Sequence, residues 1–435
     1  MKILIKNCNL ISMSEKREKY EEEIDILINE DKIEKIDKVI NQDNCDKVID
    51  ARGKVVMPGL INTHTHIAMS IFRDTLDGYG LQEWLNDKIW PMEDKMNEED
   101  VYNASVLSCV EMIKSGTTTF NDQYFMTDAT IKASMERGLR IHCTRALMDI
   151  NGNGEQRLEE LEELINKYDK DNDKVKINVG IHSLYTCTKE YVKEAVELAK
   201  KYNLYVHMHF AENSQELEDI KRIHNVNIPS TLLENYLGDV KSVLAHCVKM
   251  NPEEMKELRD LNISVAHCPV SNLRLGCGVA KIKDFIENGI NVALGTDGQG
   301  SGSNLDMFST MAYTALLQKG INEDATLLPA YDVIKMATVN GAKALNVDNE
   351  IGSIEEGKKA DLIIIDLETT MTEPINDVFS NIVYNVKPNN VITTIVDGKI
   401  LMEERKIEGI NEEEIYQKCN SIIRRLTWQK ILKNI

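Results

Sequence analysis

One pattern dominates the chain: a strand-length apolar run followed by a longer stretch with helical apolar spacing, repeated eight times. The runs fall at 60–65, 117–121, 140–145, 176–182, 204–210, 242–247, 263–267 and 291–296. Stretches between them, such as 104–114 and 188–201, place apolar residues three and four apart, as one face of a helix requires. Eight strand–helix units in succession predict a closed parallel (β/α)8 barrel of the TIM type rather than an open sheet.

On either side the pattern changes. Residues 1–57 carry short alternating segments at 2–11, 23–29, 32–39 and 47–56, and similar material returns at 359–366 and 391–402. Asp397-Gly398 reads as a hairpin turn within the latter. The expected organisation is a small flanking β-sandwich built from both ends, 1–57 and 356–405. It encloses a barrel at 58–355, and a terminal helix follows over 406–435. A chain of 435 residues is long enough for this.

Composition restricts partners. With 51 basic and 71 acidic side chains the net charge is −20, which opposes nucleic-acid binding by bulk charge and requires any anionic ligand to be met by local arginines. No apolar run approaches the roughly 18 residues that span a bilayer, so no membrane partner is expected. The opening MKILIKNCNL lacks the continuous apolar core of a signal peptide. The nine cysteines include no CxxC pair, which argues against a disulfide scaffold or a thiolate zinc site. The expectation is a cytoplasmic protein with reduced thiols; a homo-oligomer is left open.

The histidines give the pattern chemical content. His64 and His66 close the first strand, His182 ends the fourth, and His207 and His209 lie on the fifth. His246 and His267 end the sixth and seventh, and Asp297 follows the eighth. Residues two apart on a strand face the same way, and active sites of such barrels lie at the carboxy-terminal strand ends. A lone His-x-His is ordinarily a pair of core histidines. Four imidazoles and a carboxylate at one barrel mouth are costly to bury unpaired, and a divalent cation pairs them at once. His64, His66, His209 and Asp297 are therefore the expected ligands of one metal, Zn²⁺ first, with Fe²⁺ or Mn²⁺ suited by the same donors. Such a metal lowers the pKa of a bound water toward about 7. Asp297 would also accept a proton, Glu212 would shuttle one, and His246 would polarise water or substrate. His142, His207 and His224 read as structural.

These residues carry a resemblance. Met57-Pro58-Gly59-Leu60-Ile61-Asn62-Thr63-His64-Thr65-His66 resembles the entry motif of the amidohydrolase superfamily. His209-Phe210-Ala211-Glu212, Ala245-His246-Cys247, the run from Ala266 to Asn272 and Gly295-Thr296-Asp297-Gly298 resemble later motifs of its mononuclear deaminases, and Gly357 to Leu362 resembles the re-entry into the flanking sheet. The likeness is greatest to the 5′-methylthioadenosine/S-adenosylhomocysteine deaminases. Binuclear relatives bridge two metals through a lysine on strand four; here that strand ends in His182, so the resemblance implies one metal. The His-x-Glu and Pro-Cys-x-x-Cys pattern of cytidine deaminases is missing.

The resemblance further implies that Glu93 contacts the ribose, His182 the purine, and that Trp84 lines the pocket. It places Arg145 and Arg157 at the carboxylate of S-adenosylhomocysteine. Trp84 reads equally as a core aromatic, Glu93 as a solvated charge, and Arg157, on a Gly- and Glu-rich loop, as either. The implied activity is hydrolytic deamination of an adenine nucleoside, with Glu212 protonating N1. Rivals are deaminases of 5′-deoxyadenosine, adenosine or guanine, a triazine hydrolase, and an inactive structural paralogue.

Overall fold

The computed structural model describes residues 1–150, 152–168 and 173–432. Eight parallel strands form the barrel: β1 Leu60–Thr65, β2 Thr117–Tyr124, β3 Arg140–Leu147, β4 Val175–Ser183, β5 Val206–Phe210, β6 Ser242–His246, β7 Ile263–His267 and β8 Asn291–Leu294. Each pairs in parallel with the next, as the eightfold alternation predicts.

The seam between β1 and β8 is built differently. Among the described residues no strand ladder joins these two; side chains and single backbone bonds do. Asn62 Nδ2 donates to Thr296 Oγ1 at 2.7 Å, and the Thr296 amide returns a bond to Asn62 Oδ1 at 3.0 Å. Thr63 Oγ1 donates to the Leu294 carbonyl at 2.8 Å, and the Asp297 amide to the His64 carbonyl at 3.0 Å. Gly295 permits the approach, since a Cβ there would lie 2.9 Å from His64 Cβ. The backbone after Leu294 thus leaves strand geometry to reach β1, and β8 ends before Thr296, short of its expected limit.

Both ends of the chain form a second eight-stranded sheet, joined where Val55–Pro58 runs antiparallel to Leu362–Ile365. Alternate side chains there have opposite duties. Leu362 and Ile364 join Ile3, Ile5, Ile26 and Val56 in the sheet's own apolar cluster, while Ile363 and Ile365 pack on the barrel. The Asp397-Gly398 turn connects Val391–Val396 to Lys399–Met402 with both turn residues at positive φ, as tight hairpins require. Buried Arg140 at the start of β3 bonds Asp361 with two nitrogens, at 3.0 and 3.1 Å, tying sheet to barrel.

Helix Glu98–Ser115 begins at an Asn97–Asp100 capping box and stops at Gly116 in the left-handed region. Helix Glu412–Leu432 lies against it, burying Cys419, Ile422 and Leu426; the final three residues of the expected helix, 433–435, lie outside the described residues. No helix among the described residues is long and apolar enough to cross a membrane.

Candidate metal centre and catalytic cavity

Strand periodicity carries the histidines to one point. His64 lies on β1 and His66 immediately follows its last residue, while His207 and His209 share a face of β5. Nε2 of His66 lies 3.2 Å from Nε2 of His209. Asp297 Oδ1 stands 3.3 Å from His64 Nε2 and 3.2 Å from His66 Nε2. The positions of the protons follow from the other ring nitrogens. His66 Nδ1 is 2.6 Å from the Gln123 carbonyl, and His209 Nδ1 is 2.6 Å from the His182 carbonyl. A carbonyl only accepts, so each Nδ1 carries a proton, and in the neutral ring that a metal requires each Nε2 presents a lone pair. His64 Nε2 is buried and makes no hydrogen bond. Lone pairs and a carboxylate oxygen thus face one another with no donor between them. A divalent cation fits donors of this kind: ligand atoms of His64, His66 and His209 converge within 4.8 Å, and those of His64, His246 and Asp297 do the same.

Asp297 is held from behind. Its Oδ2 accepts from Ser271 Oγ at 2.6 Å and Ser301 Oγ at 2.7 Å, and the Gly298 amide donates to Oδ1 at 2.8 Å. His246 Nδ1 lies 2.9 Å from Asn272 Oδ1.

Glu212 stands in the turn leaving β5. Ala211 has a φ of +52°, and the carboxylate of buried Glu216 secures this turn by accepting from the Ala211 amide at 3.1 Å and the Glu212 amide at 2.7 Å. The Glu212 side chain reaches within 3.9 Å of His246 Nδ1. Burial raises its pKa to about 7, against the opposing effect of His246 and with help from the Asp297 charge. A carboxyl group poised there can hold or release a proton at neutral pH.

Above these groups lies a cavity of about 780 Å³, counted out to its open mouth. Trp84, Glu93 and His182 line it, as do His66, His209, Glu212, His246 and Asp297. The segment after β1 supplies Trp84 and Glu93, and the Trp84 ring lies against Gly300, where a Cβ would come within 2.9 Å of it. Tyr124, at the end of β2, donates to Glu93 Oε1 at 2.6 Å. Burial raises Glu93 to about 7, with Tyr124 opposing. Burial lowers His182 to about 3, so its ring is neutral.

The two arginines are not brought into this cavity. Alternation along β3 turns Ala146 inward and Arg145 outward, where Arg145 Nε pairs with Glu160 at 2.7 Å in an adjoining cleft. Phe125 lines both spaces. Arg157 lies not on a loop but in the first turn of helix Gly154–Tyr168, bonded to the carbonyl of Met148, which does line the cavity.

Of the histidines read as structural, His142 bonds Tyr205, and His224 bonds Leu184 and Tyr236. His207 is different: it abuts His64, with 2.8 Å between ring nitrogens. His267 is buried without a hydrogen bond to either ring nitrogen. Sequence reasoning overlooked Tyr124, Glu216, Ser271, Ser301 and Asn272, although Ser271 and Asn272 lie inside a motif that it quoted.

Comparison with known proteins agrees with this architecture. The Amidohydrolase family profile matches residues 55–401. The chain is 40% identical, over 96% of its length and 96% of the relative's, to 5-methylthioadenosine/S-adenosylhomocysteine deaminase of Caldanaerobacter subterraneus subsp. tengcongensis. It is 41% identical to 5′-deoxyadenosine deaminase of Methanosphaera stadtmanae, over 95% of its length and 96% of the relative's. It superposes on the crystal structure of an adenosine deaminase from Xanthomonas campestris with bound zinc at a TM-score of 0.93 and 27% identity, covering 98% of both chains.

Proposed function

Since the chain belongs to the amidohydrolase family, we propose that it is a metal-dependent deaminase of an adenine nucleoside with a modified 5′ position. 5′-Methylthioadenosine and S-adenosylhomocysteine are the substrates foremost, and 5′-deoxyadenosine is the nearest alternative. The observation that carries the reading is the juxtaposition of converging metal-ligating histidines and Asp297 with a carboxyl group poised near pH 7, at the floor of a cavity lined by Trp84, Glu93 and His182.

His64, His66, His209 and Asp297 would hold one divalent metal, Zn²⁺ foremost; when bound it supplies a water acidified toward neutrality. Glu93 accepts from the ribose hydroxyls, neutral His182 bonds the purine, and Trp84 covers its apolar surface. Glu212 gives its proton to ring N1 while water adds at C6. The two water protons are then accounted for: one replaces the proton that Glu212 delivered, and one passes by way of Asp297 to the departing amine. His246, anchored by Asn272, orients the water. The C6–N bond breaks and ammonia leaves with the inosyl product.

The direct test is a screen of the metal-loaded protein that follows ammonia release from the three nucleosides, adenosine and guanine, and chloride release from a chlorotriazine. A 5′-modified adenine nucleoside is expected to be fastest; preferred turnover of adenosine, guanine or the triazine would refute the reading.

Glu93 supplies a pH prediction. It binds ribose as a carboxylate and its pKa is raised to about 7, so acceptors are lost as pH falls through 7. KM is expected to rise below about pH 7, and a Glu93→Gln variant should show a higher KM without that dependence. An unchanged pH profile in the variant would exclude Glu93 as the ribose acceptor.

The arginines bear only on a 5′ group that extends past Phe125. Arg145 already pairs with Glu160, so a substrate carboxylate gains only the difference between two partners. From a charge-assisted bond of roughly 1.5–3 kcal/mol, the lower end applies, about tenfold in affinity. Arg145→Met is therefore expected to raise KM about tenfold for S-adenosylhomocysteine and to leave methylthioadenosine nearly unchanged. Equal effects on both would make the arginine structural.

A further inference from the structure

The three histidines at the metal centre differ in what stands behind them. His66 and His209 each direct Nδ1 at a backbone carbonyl, which no substitution at that position removes. Behind His64 stands a side chain: His64 Nδ1 lies 2.8 Å from Nε2 of His207. His207 is fully buried on β5, two residues before His209. Its own Nδ1 lies 3.2 Å from the Val243 carbonyl on β6.

Proton assignment along this chain of contacts leaves no freedom. The Val243 carbonyl has no proton to give, so His207 Nδ1 donates. A neutral imidazole carries one N–H, so His207 Nε2 must accept. The shared proton therefore sits on His64 Nδ1, and His64 Nε2 is left bare, 3.3 Å from Asp297 Oδ1. With the opposite tautomer, His64 would aim an N–H at the centre where the other lone pairs converge.

We propose that His207 is a positioning residue that sets the metal-binding tautomer of His64 by relaying the Val243 carbonyl to it. The inference rests on reading His64 as a ligand. It assigns to His207 a role beyond filling the barrel interior, which an apolar side chain of similar size would fill without burying two ring nitrogens.

The test compares His207→Leu with His207→Gln, measuring Zn²⁺ affinity by chelator competition and the melting temperature of the metal-free protein. Leu removes the acceptor. Gln can accept from His64 through Oε1 and donate to Val243 through Nε2. Groups that orient a metal-ligating histidine are generally worth 10–100-fold in affinity. Leu is therefore expected to weaken Zn²⁺ binding by about 10- to 100-fold, and Gln to restore it to within about threefold. The metal-free melting temperatures of the two variants should agree within about 3 °C. Zn²⁺ affinity unchanged in Leu would overturn the proposal, as would equal weakening in Leu and Gln. Should neither variant fold, the unmodified metal-free protein still decides: ¹⁵N NMR must show the His64 proton on Nδ1, and a proton on Nε2 would refute the relay. Failure of the unmodified protein to bind Zn²⁺ would instead remove the underlying metal reading.

Discussion

Replacing Glu212 with Gln is expected to lower kcat by about 10²–10⁴, the usual contribution of a positioned general acid or base, while metal content stays at the unmodified level. Each decade corresponds to about 1.4 kcal/mol of barrier, so the loss is large beside any packing effect of a near-isosteric change. Two features of the site separate Glu212 from the ligands. Its carboxylate lies outside the convergent donor set, and the turn that carries it is held by Glu216, not by the metal ligands. Gln keeps the shape and loses the transferable proton. The acid form is present below about pH 7 and lost above it, so the unmodified enzyme should also lose kcat on the alkaline side, and the variant should lack that limb. Steady-state kinetics with metal analysis on the same samples checks both points; near-normal turnover in the variant would exclude Glu212 from proton transfer.

Removing the metal should have the larger consequence. Exhaustive chelation is expected to bring turnover to background, and about one equivalent of Zn²⁺ per chain to restore it. The stoichiometry follows from geometry: the ligand atoms of His64, His66 and His209 lie within 4.8 Å of one another, those of His64, His246 and Asp297 do likewise, and the shared His64 makes both groups one centre. His66→Ala should likewise lose both metal and activity, because it deletes a donor that no neighbouring carboxylate replaces. Elemental analysis finding two metals per chain, or activity surviving chelation, would refute this assignment.

The barrel was readable because its repeating unit is hydrophobic periodicity, the strongest signal a single sequence carries. Strand β1 was delimited correctly for that reason. Strand β2 was read three residues short, because an apolar-run criterion stops at Asn121. The structure shows why polar residues continue the strand at a barrel mouth: Asn121 bonds the Thr63 carbonyl, Asp122 accepts from Thr65 and Ile67, and Gln123 bonds the Ile181 carbonyl. The same shortfall hid Tyr124 and its bond to Glu93, residues 31 apart in sequence.

Arg145 illustrates a different limit. A strand-end position locates a residue along the barrel axis but does not say which side of the wall it faces; one step of alternation separates Ala146 inside from Arg145 outside. For Arg157 the nearby glycines suggested a loop, whereas Leu158, Leu161, Leu164 and Ile165 give Gly154–Tyr168 a helical apolar face. The role of His207 depends on which atoms lie behind His64, and spacing carries no information about that.

The seam of the barrel has a thermodynamic consequence. Asn62 and Thr296, 234 residues apart, hold β1 to β8 with side-chain bonds where the other strands have ladders. The proposed ligands straddle this join, His64 and His66 on one side and Asp297 on the other. An ion bound across it stabilises only the closed ring, by RT ln(1 + [L]/Kd), or about 2.7 kcal/mol at a free concentration 100 times Kd. Metal availability thus enters the folding equilibrium of the whole barrel. Starvation for the ion would be felt first as an opening between the first and last strands, and only then as unfolding of the flanking sheet that both chain ends share.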